Sequence, residues 1–146
     1  MNDAQPTRPD LGPKAIYSRL NGKQQEIYNF QKVAGVLADW GFNCIKLADD
    51  WQGADFIAHR KNPDMTLFVQ LKGRPDIQKK YLGKHLHIAF PIGSDWYLVD
   101  HDDLVNLVGA NSNALNTDSW LIGGAFNWPA PPPKWLVTVL EPFKLQ

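Results

Sequence analysis

The sequence predicts an α+β fold with a mixed central β-sheet, on three observations. A long helical period lies near the N-terminus, a run of short alternating segments follows it, and two further helical stretches are set between later strands. The chain has 146 residues and is 44% hydrophobic, enough for one domain with a buried core. Residues 1–14 read as a polar arm punctuated by Pro6, Pro9 and Pro13, and 15–146 as a single domain.

The first helix is predicted over about residues 22–40. Asn21 is placed as its N-cap, Gln24 completes a capping box, and Gly41 stands where a helix-ending glycine belongs. At 100° per residue Ile27, Phe30, Val33, Ala34, Leu37 and Trp40 share one stripe. Strands are predicted at Asn43–Leu47, Ala54–His59 and Thr66–Lys72, with Lys61-Asn62-Pro63-Asp64 as the turn joining the last two. A short basic helix from Asp76 to about Lys84 comes next, then strands Leu86–Ile92 and Trp96–Val99 and a helix near Asp102–Val108. The tail holds Trp120, Phe126, Trp128 and Trp135, expected to cap the core, and ends in a predicted strand Trp135–Leu140.

Charge excludes little but directs the search. Lys+Arg and Asp+Glu both number 15, so a nucleic-acid partner would have to be met by locally concentrated basic residues. Arg74, Lys79, Lys80 and Lys84 form the one such cluster, although a solvated helix face is the simpler account of it. A single cysteine, Cys44, excludes an internal disulfide and suits a reducing, cytoplasmic setting. No apolar run is long enough to span a membrane.

Side chains alternate along a strand, so Phe68, Gln70 and Lys72 share one face and Asp55, Ile57 and His59 share another. Pairing through the Lys61–Asp64 turn would bring Asp55 to Gln70 and Lys72. Glu26 falls at the helical angle of Val33 and Leu37, an expensive place for an acid unless it is paired or holds a cation. Two carboxylates and an amide oxygen suit a hard divalent cation, and a lysine beside it suits phosphodiester hydrolysis. Simpler readings exist for each: a strand-end acid for Asp55, a protective edge for Gln70 and Lys72, and a helix N-terminal contact for Glu26. Asp49 and Asp50 read as a turn, and His85 and His87 as surface or core histidines.

Asp55, then Gln70-Leu71-Lys72 at the end of the next strand, after a helix bearing Glu26, resembles the PD-(D/E)XK nuclease superfamily. That group includes restriction endonucleases and Holliday-junction resolvases. The resemblance implies a restriction-endonuclease-like core and a DNA endonuclease needing Mg²⁺ or Mn²⁺. It makes Asp55 the metal ligand, Lys72 the catalytic lysine and Glu26 the helix acid that some branches use to hold metal, with Gln70 left to contribute an oxygen to the ion or to orient a water. It also implies DNA as partner; a chain of 146 residues has little room for elaborate base recognition, which points to a homodimer or to a structure-selective activity. The chain departs from the pattern at Gln70, where an acid is usual, and some branches resemble this Gln-x-Lys form. The competing reading is a nuclease-like domain that binds nucleic acid or protein without cutting.

Overall fold

The computed structural model describes residues 4–145; the first three residues of the arm, and Gln146, lie outside the described residues. The remainder of the arm is exposed and carries no helix or strand before a short 3₁₀ turn at Tyr17–Arg19. Helix α1 spans Gly22–Ala38. Its capping box is formed as the sequence predicts: Asn21 accepts from the Gln24 N–H and Gln24 accepts from the Asn21 N–H. At the other end Gly41 takes φ +84°, which lets the Gly41 and Phe42 N–H groups close on the carbonyls of Ala38 and Leu37.

Strands β1 (Asn43–Trp51), β2 (Ala54–Lys61) and β3 (Asp64–Leu71) form an antiparallel meander. The β2–β3 turn lies where expected, with Lys61 opposite Asp64. Strands β5 (His87–Ile92) and β6 (Asp95–Asp100) continue the sheet, and β8 (Lys144–Leu145) closes it in the order β1-β2-β3-β5-β6-β8. Only the β3–β5 pair is parallel, so the sheet is mixed, as predicted. One face packs on α1 through Val33, Leu37, Phe56, Ala58, Val69 and Leu71. The other face buries Ile88, Phe90, Tyr97 and Val99 beneath a C-terminal layer of helices. That layer comprises α2 (His101–Asn111), α3 (Asp118–Leu121) and α4 (Lys134–Leu140).

Two predicted elements are wrong, and Asp49 and Asp50, read as a turn, lie instead in β1, which runs past Leu47 to Trp51. The basic helix from Asp76 to Lys84 is instead strand β4 (Asp76–Gln78) and a 3₁₀ turn, Lys79–Tyr81. Strand β4 is claimed by β7 (Ala125–Asn127), far along the chain, and Ile77 is fully buried. The predicted strand Trp135–Leu140 is α4, whose buried residues Leu136 and Leu140 are spaced four apart. Its β-branched residues favour extension locally, and packing on the C-terminal core overrides them. The tryptophans do cap that core: Trp120 and Trp128 are buried in it, and Phe126 and Trp135 pack against it. Cys44 is half-buried beside the α1-side core, and burial pushes its thiol pKa up. Among the described residues no helix is long and apolar enough to cross a membrane.

His101, the first residue of α2, is 1% exposed and its Nε2 accepts the Gln78 N–H at 3.1 Å. Burial pulls its pKa below 6.5, against the hydrogen bond to Asp102 and the charges of Asp102, Asp100 and Asp76. The imidazole is therefore neutral near pH 7, and its 3.3 Å contact with Asp102 is a hydrogen bond rather than an ion pair. Below the unfolded pKa of 6.5 the unfolded chain binds the proton more readily, so this contribution is whole above that value and shrinks as pH falls through the folded one. His87 is displaced in the same direction, also by burial. Thermal melts between pH 7.5 and pH 5 are expected to fall with acidification, and His101→Gln should lessen that slope.

Candidate active site

The candidate residues meet where the N-terminal end of α1 overhangs the β1–β2–β3 meander. The feature that opens the site is a break in pairing. Lys46 pairs with Phe56 and Trp51 with Ala54, so Leu47, Ala48, Asp49 and Asp50 bow out against the single residue Asp55. The turn that follows passes under Tyr81 and Leu86. A Cβ on Gly53 would stand 2.8 Å from Leu86 Cδ1, and its φ is +89°, so glycine is required there twice over.

Asp55 is partly buried and its Oδ2 accepts the Leu71 N–H at 2.8 Å, which ties β2 to the end of β3. Continuing the Phe56↔Val69 register by one residue sets Gln70 opposite Asp55 on the same face. Burial pushes the Asp55 carboxyl pKa up; the Leu71 N–H and Lys72 oppose this, and the charges of Asp50 and Glu26 add to it. Those influences place Glu26, Asp50 and Lys72 in one electrostatic neighbourhood around Asp55. A cleft of about 340 Å³ is lined by Glu26, Lys46, Asp50 and Asp55 among others. An adjoining one of about 200 Å³ is lined by Glu26 and Lys72.

Glu26 differs from its expected position. It is exposed, not buried, and pairs with Lys46 at 3.7 Å. The helical angle was right, but α1 projects beyond its packed portion here: Asn29, Val33 and Leu37 are its buried residues. The acid therefore faces the cleft rather than the core. Gln70 is 8% exposed, and its Oε1 is buried without a hydrogen-bond partner. Lys72 follows the last residue of β3, its N–H donating to the Ala89 carbonyl, and its Nζ lies 5.6 Å from the Tyr81 ring centroid.

The helix expected to carry Lys79, Lys80 and Lys84 is not formed, and the four basic residues meet different neighbours. Lys79 turns to the C-terminal layer, donating to the Leu121 carbonyl at 3.1 Å and lying over Trp120. Lys80 lies on the Tyr81 ring, Lys84 lines a cavity with Trp51 and His85, and Arg74 lines another with Trp128. His85 is exposed with φ +58°, and His87 is half-buried.

Tyr81 carries no sequence signal of its own. It is 5% exposed, touches two lysines, and its pKa is pushed up to about 12 by burial and by the charges of Asp76, Asp55 and Asp50. It stays a neutral phenol whose ring meets both Lys72 and Lys80. Because the Asp55 carboxylate is held in an environment that favours its protonated form, Asp55→Asn should raise the melting temperature of metal-free protein at pH 7. The sign follows from the raised folded pKa: this group's contribution is full at low pH and is lost as pH rises through that value. The gain over wild type should vanish in melts run below pH 4.

The donor set can be tested against a divalent ion. A buried amide oxygen without a donor is costly, and an oxygen-seeking cation at Asp55 would satisfy it while relieving the repulsion among Asp55, Asp50 and Glu26. In that respect the residues fit. Scanned against models of known protein families the chain matches none, and no curated protein matches it either.

Proposed function

We propose that the chain is a Mg²⁺- or Mn²⁺-dependent DNA endonuclease of the PD-(D/E)XK design. The observation that carries this is the unpartnered, buried Oε1 of Gln70, set across from Asp55 and followed at the strand end by Lys72. Asp55 would hold the ion together with the buried Gln70 oxygen, and Glu26, which lines the same cleft as Asp55, would complete the set. The ion would supply positive charge for the phosphate and a more acidic water. Lys72 would orient a water and balance charge on the phosphate oxygens, while the Asp55–Leu71 hydrogen bond holds the carboxylate in place. The bulge at 47–50 contributes Leu47, Ala48 and Asp50 to the wall of the cleft, where a DNA strand would lie. Cutting both strands of a duplex at once would take two copies of such a site, which is what a homodimer would provide.

One observation favours the competing reading of a domain that binds without cutting. Among the described residues no three His, Cys, Asp or Glu side chains are grouped closely enough to hold a metal. The deciding experiment incubates purified protein with supercoiled plasmid, linear duplex and single-stranded DNA in Mg²⁺, Mn²⁺ or EDTA. Metal-dependent nicking or cleavage is expected. Its absence on every substrate, together with calorimetry showing no Asp55-dependent Mn²⁺ binding, would overturn the endonuclease reading.

A further inference from the structure

Beside the candidate centre lies a larger cleft, of about 370 Å³, whose walls include Tyr17, Tyr28, Asn29, Lys32 and Trp96. It shares Tyr17, Asn29 and Gly73 with the cleft that holds Glu26 and Lys72, so the two are continuous at the residue after the lysine. Tyr17 and Tyr28 are 39% and 38% exposed and belong to none of the buried core clusters, yet their rings pack together at 5.3 Å. The pair is fixed from beneath. Asn29, 7% exposed, donates from Nδ2 to the Tyr17 hydroxyl at 2.9 Å. Lys32 stands over the Tyr28 ring at 5.3 Å and is itself exposed.

Two partly exposed aromatic rings, a buried tryptophan in the same wall and a lysine over one of the rings match a flat aromatic ligand that carries negative charge. A nucleotide has that chemistry: a base stacks on side-chain rings while its phosphate meets a lysine. A base that is paired and stacked in a duplex cannot enter such a cleft, whereas an unpaired one can. The geometry points to a subsite that holds one unpaired nucleotide of a DNA strand beside the scissile phosphate, making the enzyme selective for single-stranded or splayed DNA over intact duplex. This rests on the endonuclease reading and names its substrate class.

The test separates binding from cutting. Fluorescence anisotropy in EDTA measures the affinity for a single-stranded oligonucleotide, a blunt duplex and a fork with unpaired arms, for wild type, Tyr28→Leu and Lys32→Ala. Wild type should bind the single strand and the fork tightest. Tyr28→Leu should weaken single-strand binding roughly 5- to 150-fold, the span of one base–aromatic stack, with its melting temperature and duplex binding unchanged. Lys32→Ala should lower the salt dependence of single-strand binding by about 0.7 in log–log slope, an outcome that stands whether or not Tyr28→Leu folds. In Mg²⁺ or Mn²⁺ the fork should be cut in preference to the blunt duplex, and Tyr28→Leu should lose that preference. Blunt duplex bound and cut as well as the fork, or a Tyr28→Leu protein that binds and selects as wild type does, overturns the subsite and leaves the endonuclease standing. No cleavage of any substrate by wild type, together with no Asp55-dependent Mn²⁺ binding, overturns the endonuclease and, with it, a subsite defined by a scissile phosphate.

Discussion

Lys72→Ala is expected to slow metal-dependent DNA cleavage by roughly 10²- to 10⁴-fold, the usual span for loss of a positioned acid–base group or a charge-stabilising one. Lys72 lies at the end of β3, partly buried, with the Tyr81 ring on one side and the Glu26 cleft on the other. Its removal leaves no cavity in the core, so the melting temperature should move little. Asp55→Ala should be at least as damaging and should also abolish Mn²⁺ binding in calorimetry, which Lys72→Ala should leave intact. If both residues serve one step, the double variant is no slower than the worse single one, because a site that has lost one essential part gains nothing further from the other. Single-turnover cleavage rates with saturating enzyme provide the measurement. Either single variant cutting within a few fold of wild type would remove that residue from the chemistry. Additive losses in the double variant would mean the two act in separate steps.

The N-terminal half was legible because its signals are local. The Asn21–Gln24 box, the helix-ending Gly41 and the Lys61–Asp64 turn each need only a few neighbouring residues, and each is formed. From the hairpin, the register that sets Asp55 against the Gln70–Leu71 end of β3 follows by alternation alone. What the sequence hid is non-local. Strand β4 exists because β7, about fifty residues further on, pairs with it, and no periodicity in Asp76-Ile77-Gln78 announces that. In α4, Val137 and Val139 suggest a strand, while the helix is selected by where Leu136 and Leu140 can be buried. The bulge opposite Asp55 is a mismatch between two strands and belongs to neither alone. Glu26 shows a different limit: helical angle predicts the side of a helix, but not whether the sheet extends far enough to cover that side. Tyr17, which joins the two clefts, sits in a 3₁₀ turn beyond the reach of the helix and strand patterns.

The sharpest consequence concerns Gln70, the residue at which the chain departs from the pattern it resembles. Gln70→Glu replaces a buried neutral amide, 8% exposed and facing Asp55, with an acid. In EDTA at pH 7 that acid must take up a proton to remain buried, and neutralising an ordinary glutamate there costs about 3.7 kcal/mol. A loss of about 3–4 kcal/mol in denaturant unfolding is therefore expected, fading as pH falls toward 4. Saturating Mg²⁺ or Mn²⁺ should return much of it, since a ligand bound only by the folded state at a hundred times its dissociation constant contributes about 2.7 kcal/mol. Gln70→Leu is the complementary case. It removes the unpartnered oxygen, so the metal-free protein should be at least as stable as wild type, and it should show no metal-dependent stabilisation and no cleavage. A purely structural glutamine predicts otherwise: the glutamate variant would lose the same stability with or without the ion, and the leucine variant would cut as wild type does. The difference between the two metal conditions, rather than the size of either loss, is what assigns Gln70 to an ion.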